Sequence, residues 1–289
     1  MMDLGLRRRF FAEEVEAVGN LRTASLVEAL ASVPRERFLR PGPWMIVSEG
    51  AMGIARPTPD ADSRHVYHCV AIGIDPERRL FNGGPVTLSM AIDALGLKPG
   101  EHVVHLGCGL GYYTALMAHC VGPGGHVTAI EIEETLAEEA RHNLALYPWV
   151  EVRNGNGRAS AAERYDAMLV NAGVTHARDE WLDGLSAQGR IVLPLTATMP
   201  QMGTIGKGPL LLFTQAGAGN WSARVLTFVG IYSALDLRDE ALNSAIGAAL
   251  GRNPMPPLKR LRRDVHDATP ACWLHAPTFC LSTEDQPKS

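Results

Sequence analysis

Three alternating glycines at the end of a short apolar run have the clearest chemical meaning in this chain. Residues 103–111 read Val-Val-His-Leu-Gly-Cys-Gly-Leu-Gly, and a helical pattern begins at Tyr112. Glycine has no Cβ, so the backbone can turn sharply there and approach a ligand closely. A dinucleotide fingerprint places its third glycine one position later, where the pyrophosphate rests on the start of the helix. Because that position is Tyr112, the spacing predicts a nucleoside ligand without phosphates, such as S-adenosylmethionine.

Polar residues after the next predicted strands extend this cofactor site. Glu131 follows the glycines by about 20 residues, where a carboxylate can accept both hydroxyls of a ribose; the alternative is a solvated acid at a helix start. Asn156 can offer adenine a donor and an acceptor, or form an ordinary Asn-Gly turn. Asn171 follows the fourth strand, where the acceptor should meet the cofactor. The predicted cofactor contacts are His105, Gly107, Cys108, Gly109, Gly111, Tyr112, Glu131, Ile132, Asn156, Gly157 and Asn171.

Three side chains are candidates for moving a proton or shaping the acceptor site. Methyl transfer to a phenol, hydroxyl or ammonium group needs a base, usually His, whereas a carboxylate acceptor needs none. The candidates are His176, after the fourth strand, and His68 and Tyr67 within His65–Cys69. On the strand expected there, His65 and Tyr67 share one face and His68 takes the other, so we expect no His-x-x-His metal pair. Each candidate also fits a hydrogen-bonded loop or interface residue, and Tyr67 fits an apolar wall for a small acceptor.

Alternating strand and helix patterns should place these residues at one edge of a parallel sheet. From Glu101 to Pro194, apolar runs of strand length alternate with helical patterns, which predicts right-handed crossovers. The predicted fold class is α/β, a Rossmann-like doubly wound and mostly parallel sheet with an N-terminal helical cap and a C-terminal β-rich extension. Residues 4–33 are expected to be helical and Val66–Ile74 to form a strand. The tail from Asn253 is expected to be irregular.

The chain is predicted to consist of three segments. Its composition excludes several classes of partner. Residues 1–82 are predicted to form a helical and loop cap with a substrate-side insertion, 83–235 the cofactor-binding domain, and 236–289 a C-terminal helix and irregular tail. The formal net charge of −4 gives no general attraction for nucleic acid or anionic membrane, and no apolar run approaches a membrane span. Five scattered cysteines without a CxxC pair indicate neither a metal site nor a disulfide framework, and they suit a cytoplasmic protein.

Several further motifs lie in a characteristic order around the glycine turn. They are Leu97–Gly100, Thr128–Ile132, Asn156–Gly157, Tyr165–Ala167 and Gly189–Pro194, with Val33–Phe38 upstream. With the turn, residues 83–195 resemble a class I S-adenosylmethionine-dependent methyltransferase, and they are most similar to the protein-L-isoaspartate O-methyltransferase family. The resemblance implies S-adenosylmethionine as the cofactor and methyl transfer as the activity.

Three features of the chain depart from that family's pattern. The acid that usually precedes the glycines is His105, and the aspartate after the third strand is Asn156. The family's substrate loop resembles Thr-x-Ser-x-Pro, and here Phe81, Gly83 and Pro85 stand at those three positions, so both hydroxyl residues are missing. The function predicted first is therefore O-methylation of a small molecule or peptide, with a carboxylate as one candidate acceptor.

Three other functions stay open at this point. Isoaspartyl carboxyl methylation of damaged proteins is supported by the resemblance and opposed by Phe81 and Gly83. A catalytically silent cofactor-binding scaffold or sensor would keep the glycine turn and lose the transfer. A nicotinamide oxidoreductase is disfavoured by Tyr112 in place of a glycine. The methylated atom, the use of a general base, the oligomeric state and the role of the C-terminal extension are left open by the sequence.

Overall fold

The computed structural model describes residues 3–48, 54–158, 164–198, 203–217 and 219–285. They group into two units, Met1–Gly155 and Asn156–Ser289. The functional division at 82/83 and 235/236 stays a prediction. Among the described residues, no helix combines the length and apolar character needed to cross a membrane.

The N-terminal cap contains two helices where one helical segment was expected. Helix α1 spans Leu4–Gly19 and helix α2 spans Ala24–Ser32. Asn20 takes a left-handed conformation with φ 48° and ends α1; asparagine tolerates this conformation better than most residues. The chain leaves α2 just before Pro34, because a residue preceding proline is disfavoured in helical conformation.

A small antiparallel sheet follows the cap. Its strands are β1 (Met45–Ser48), β2 (Ala55–Pro57), β3 (Val70–Asp75) and β4 (Leu80–Phe81), in the order β2-β1-β3-β4. The strand expected over Val66–Ile74 is therefore wrong in its first half.

The buried Arg35 side chain explains this difference. Its guanidinium donates to the carbonyl oxygens of Val66 at 2.6 Å, His68 at 3.2 Å and Val70 at 2.8 Å. On an extended strand these three carbonyls would point to the same side but span about 13 Å, which is too far for one guanidinium to reach all of them. Residues Ser63–Val66 instead form one turn of 3-10 helix.

Parallel strands joined by helices carry the glycine turn in the first unit. The elements are α3 (Pro85–Leu95), β5 (His102–Leu106), α4 (Tyr112–Val121), β6 (His126–Glu131), α5 (Glu134–Asn143) and β7 (Val150–Asn154). Strand β6 pairs in parallel with β5 and with β7. The carboxyl ends of the three strands therefore share one edge, which positions the turn after β5 beside Glu131 and Asn154.

The second unit begins with parallel strands and continues as an antiparallel sheet. Its elements are β8 (Tyr165–Val170), α6 (Asp179–Gly184), β9 (Leu185–Pro194), β10 (Ala197–Thr198), β11 (Ile205–Gln215), β12 (Trp221–Tyr232), α7 (Glu240–Arg252), β13 (Arg260–Arg262), β14 (Cys272–His275) and β15 (Cys280–Ser282). Strands β8 and β9 are parallel, and the order from β9 outward is β11-β12-β13-β15-β14. The tail after Asn253 thus contains three short strands and is not irregular. The predicted α/β class with a helical cap and a β-rich C-terminal extension is confirmed.

Candidate cofactor and active site

The glycine turn adopts backbone conformations that other residues avoid. Gly107, Gly109 and Gly111 have φ values of 77°, 53° and 96°, in the region that favours glycine. A Cβ at Gly111 would lie 2.9 Å from Leu144 Cδ1, and one at Gly109 would lie 3.2 Å from Ile74 Cδ1. A side chain is therefore excluded at Gly109 and at Gly111 by both conformation and space.

The Glu131 carboxylate ties the end of β6 to this turn. Its Oε2 accepts the Gly109 N–H at 2.9 Å, and its Oε1 accepts the Glu133 N–H at 3.1 Å. The residue is only 6% exposed, which rules out the solvated helix-start acid. Burial raises the pKa of this carboxyl, and the two backbone N–H bonds oppose that shift. Each oxygen has a further lone pair with which to accept a ribose hydroxyl.

Asn154 is a supporting residue that the sequence analysis missed. Its side-chain Nδ2 donates to the carbonyl oxygens of Glu131 and Ile132, both at 3.0 Å. These bonds fix the backbone that carries the Glu131 carboxylate and the half-buried Ile132. The only sequence signal was its place at the end of the third strand.

His105 is completely buried on β5 at the position where the family's acid was expected. Its Nδ1 lies 2.8 Å from Thr114 Oγ1, and its Nε2 has no hydrogen-bond partner among the described residues. Burial lowers the pKa of His105 to about 3, so the imidazole is neutral at physiological pH. Any hydrogen bond from His105 to a bound ligand would therefore come from an uncharged imidazole.

The side chains of Cys108 and Tyr112 lie in the protein interior. The Tyr112 ring makes edge contacts with Phe38 and Tyr113, with ring centroids 5.8 and 5.1 Å apart. Arg35 lies 5.6 Å from the Tyr112 ring centroid. Burial raises the pKa of the Cys108 thiol, which makes it unreactive. Their predicted contacts with the cofactor would therefore be made by the backbone.

Tyr67 is held by three hydrogen bonds at its hydroxyl. The hydroxyl donates to the Glu36 carboxylate and accepts from Arg8 Nε at 3.1 Å and the Arg35 N–H at 3.2 Å. Burial and the adjacent Glu36 raise the pKa of Tyr67 to about 12. His68 is exposed, and desolvation lowers its pKa. These contacts favour a structural role for Tyr67.

The remaining predicted residues belong to the second unit. Asn156 Oδ1 accepts the Arg158 N–H at 3.1 Å, which forms the Asn-Gly turn; an adenine contact by this residue stays a prediction. Gly157, with φ 68°, accepts the Trp181 indole N–H at 2.8 Å. The half-buried Asn171 follows β8 directly.

His176, the preferred base candidate, packs against the C-terminal extension of the same unit. Its ring stacks on Phe279 with centroids 6.4 Å apart, and its Nδ1 lies 3.2 Å from Thr175 Oγ1. Desolvation is the main cause that lowers the pKa of His176. A lowered pKa keeps the imidazole neutral and able to accept a proton, but it makes His176 a weaker base.

The loop before α3 has a shape that excludes the family's serine. Gly83 has φ 91°, and a Cβ there would lie 2.6 Å from Leu88 Cδ1. The Gly83 carbonyl accepts the Tyr113 hydroxyl at 3.0 Å. Asn82 Oδ1 accepts the Ile72 N–H at 2.8 Å and fixes the loop to β3. The conformation of this loop therefore requires glycine at position 83.

The first unit fits S-adenosylmethionine on its own observations. The turn has no room for a side chain at Gly109 or Gly111, and the Glu131 carboxylate beside it is buried with spare lone pairs. The His105 Nε2 atom is buried without a partner among the described residues. Bound there, the cofactor would be held by the backbone of the turn, by Glu131 and by His105.

Comparison with known proteins identifies the class and the family. The family model for protein-L-isoaspartate(D-aspartate) O-methyltransferase matches residues 59–207. The protein-L-isoaspartate O-methyltransferase of Methylorubrum populi is 35% identical over 221 residues, which cover 75% of this chain and 89% of the relative. The relative of the same name from Methylorubrum extorquens is 30% identical over 221 residues, with 75% and 83% covered.

Solved structures agree on the fold. A protein-L-isoaspartate O-methyltransferase aligns with a TM-score of 0.63 at 17% identity, over 96% of this chain and 88% of that chain. A Plasmodium falciparum protein described as a putative protein-L-isoaspartate O-methyltransferase, in complex with S-adenosyl-L-homocysteine, aligns with a TM-score of 0.59 at 15% identity, over 79% and 98%. The fold and site define an S-adenosylmethionine-dependent methyltransferase. The chain belongs to the protein-L-isoaspartate(D-aspartate) O-methyltransferase family.

Proposed function

We propose that this enzyme methylates the isoaspartyl carboxylate of peptides or proteins. The observation that carries the proposal is the family match over residues 59–207, which includes the glycine turn and Glu131. The named activity of relatives at 30% and 35% identity supports this acceptor. The activity of these relatives favours isoaspartyl methylation over the methylation of a small molecule or other peptide, which was predicted first from the sequence. A cytoplasmic location is part of the proposal.

In this reaction the chain has to position the two reactants, because the methyl group is already activated by the cofactor. S-adenosylmethionine supplies a methyl group on a positively charged sulfur, which an acceptor oxygen displaces in line. The chain's part is to hold the two partners close and aligned and to keep water away. Glu131 and the turn from Gly107 to Gly111 would fix the nucleoside part of the cofactor, and neutral His105 would offer its free ring nitrogen.

The properties of the candidate bases support a carboxylate acceptor. The pKa of Tyr67 is about 12, so its phenol stays protonated. The pKa values of His68 and His176 are lowered, mainly by desolvation. Basicity falls with the pKa, and a carboxylate needs no base because it is already ionised at neutral pH.

A second candidate function is O-methylation of a different peptide or a small molecule. The specific observation that favours it is the loop conformation at Gly83, which excludes the serine of the family's Thr-x-Ser-x-Pro pattern. Phe81 replaces the threonine of that pattern with an apolar ring. A loop without these hydroxyls offers fewer hydrogen bonds to a peptide backbone.

Methyl transfer to a matched pair of peptides distinguishes the two functions. One peptide contains isoaspartate and the other contains ordinary aspartate in the same sequence, and each is incubated with methyl-labelled S-adenosylmethionine. We expect a base-labile methyl ester on the isoaspartyl peptide alone. Transfer to a small-molecule panel without transfer to either peptide would support the second function. Tight cofactor binding without transfer to any acceptor would support a scaffold.

A further inference from the structure

Four metal-ligating side chains lie together in the C-terminal part of the second unit. His266, Cys272, His275 and Cys280 each offer one nitrogen or sulfur atom, and all four atoms lie within 4.8 Å of one another. Two thiols and two imidazoles are a set of ligands that Zn²⁺ prefers in proteins. We propose that these four side chains, the His/Cys cluster, bind one zinc ion.

The pairing of two short strands brings three of the ligands together. His275 on β14 lies directly opposite Cys280 on β15. Cys272 and His275 are three residues apart, and on a regular strand they would point to opposite faces. A register shift between Cys272 and Leu274 marks a bulge, which adds a residue to one strand and redirects the side chains around it. The bulge therefore allows both to approach the same point.

The fourth ligand is oriented by the backbone before β14. His266 Nδ1 lies 2.9 Å from the Asp264 carbonyl oxygen, so this nitrogen serves as the donor in that bond. The other ring nitrogen, Nε2, then has its lone pair available and lies 3.8 Å from Cys272 Sγ. A carbonyl that fixes the tautomer of a ligating histidine is the usual supporting arrangement in zinc sites.

Cys272 is supported in a similar way. Its sulfur accepts the Thr269 N–H at 3.3 Å and lies 3.5 Å from the Thr269 hydroxyl. Hydrogen bonds of this kind stabilise a metal-bound thiolate, and they orient the sulfur. Two such thiolates would offset the charge of one Zn²⁺ ion.

The spacing of the four atoms is close to what tetrahedral zinc requires. Zinc bonds of about 2.3 Å to sulfur and about 2.0 Å to nitrogen place the ligand atoms about 3.3–3.8 Å apart. The 3.8 Å between Cys272 Sγ and His266 Nε2 is within about 0.3 Å of the separation required for a sulfur–nitrogen pair. The His275 side chain is exposed, so its ring can rotate toward the other three ligand atoms. Four protein ligands leave no open position, which is the pattern of a structural site.

A zinc ion at the His/Cys cluster would contradict the sequence expectation that the chain holds no metal. That expectation rested on the absence of CxxC pairs, whereas the ligands are spaced His-x5-Cys-x2-His-x4-Cys. The bulge and hairpin pairing that unite them are not visible from spacing alone.

Metal analysis of the full-length chain tests the site. The protein is expressed with zinc in the medium, purified without chelators in a non-thiol reductant, and analysed for metal by mass spectrometry. We expect one zinc per chain in the wild type and close to none in Cys272→Ser and Cys280→Ser. Cys69→Ser removes a cysteine outside the cluster and should keep the full zinc content. His275→Gln changes an exposed side chain, so its folding is safer, and it should weaken zinc binding by more than about 100-fold because a direct ligand outweighs a supporting one.

Cobalt substitution provides a readout that does not depend on activity or on copurified metal. After zinc is removed, Co²⁺ should give the intense visible absorption of a tetrahedral site and thiolate-to-cobalt charge transfer, both lost in Cys272→Ser. Two results would overturn the proposal. One is a reduced, folded wild-type chain that contains no zinc and gives no such cobalt spectrum. The other is a Cys272–Cys280 disulfide that persists in the reductant while no metal is bound.

Discussion

At the scale of single residues, the Glu131 carboxylate has two roles in the same position. It holds the glycine turn through Gly109, and it presents the lone pairs proposed for the ribose. Glu131→Gln keeps the size of the side chain but replaces one acceptor oxygen with an NH₂ group. Hydrogen bonds to charged groups contribute about 1.5–3 kcal/mol, so we expect affinity for S-adenosylhomocysteine to fall about 10- to 150-fold. Titration calorimetry measures this loss.

The matched control is Glu134→Gln. Glu134 is an exposed acid in the first turn of α5, close in sequence to Glu131. The Glu134→Gln variant should bind S-adenosylhomocysteine with the same affinity as the wild type. Equal dissociation constants for the two variants would remove Glu131 from the cofactor site.

The second residue-scale prediction concerns the stability of the protein in acid. Burial lowers the folded-state pKa of His105 to about 3, whereas an unfolded histidine titrates near about 6.5. Between these values the unfolded chain binds a proton that the folded chain does not, so stability is lost as the pH falls through this window. From pH 7 to pH 5 this loss is about 2 kcal/mol.

His105→Asn isolates the contribution of this histidine, because asparagine can keep the bond to Thr114 but does not titrate. Urea unfolding at pH 7 and pH 5 should show that the variant loses about 2 kcal/mol less stability than the wild type on acidification. Parallel losses in the two proteins would show that His105 gains its proton in the folded state.

At the scale of elements, the connection between β5 and α4 depends on glycine at its last position. Gly111→Ala would place a Cβ at φ 96° and 2.9 Å from Leu144 Cδ1. Strain and close contact together should cost about 1–3 kcal/mol of unfolding free energy. The displaced turn should also bind S-adenosylhomocysteine more weakly. Urea denaturation and calorimetry give the two quantities.

Gly124→Ala is the control for this element. Gly124 lies in the next turn, and a Cβ there would meet no heavy atom within 4 Å. A surface change of this kind should alter stability by less than about 0.5 kcal/mol and leave the affinity unchanged. If Gly111→Ala behaves like this control, the turn does not require glycine there.

The elements also show what could be predicted from sequence. The start of helix α4 at Tyr112 was predicted correctly, because apolar periodicity and a glycine turn are local signals. The segment before β3 was not, because its conformation depends on Arg35, about 30 residues earlier in the chain. The Glu131 position was predicted from its distance to the glycines, whereas the supporting Asn154 needed the pairing of β6 with β7.

At the scale of the whole molecule, each unit contains segments that need support beyond the hydrogen bonds of regular helices and strands. In Met1–Gly155, buried polar side chains such as Arg35 and Glu131 fix loops through backbone bonds. In Asn156–Ser289, the strands β13 to β15 are only three or four residues long. Strands this short gain little from ladder bonds alone, and this is the region where we place the zinc ion.

Binding of the cofactor should stabilise the folded chain against unfolding. A ligand that binds only the folded state at 100 times its dissociation constant adds about 2.7 kcal/mol of stability. S-adenosylhomocysteine should therefore raise the thermal unfolding midpoint. NAD at the same concentration should not, because Tyr112 occupies the position where a dinucleotide site needs glycine beside the pyrophosphate. Glu131→Gln should lose most of the shift at a fixed ligand concentration. Stabilisation by NAD equal to that by S-adenosylhomocysteine would mean that the turn accepts phosphates, and the assignment of the cofactor from the glycine spacing would then be wrong.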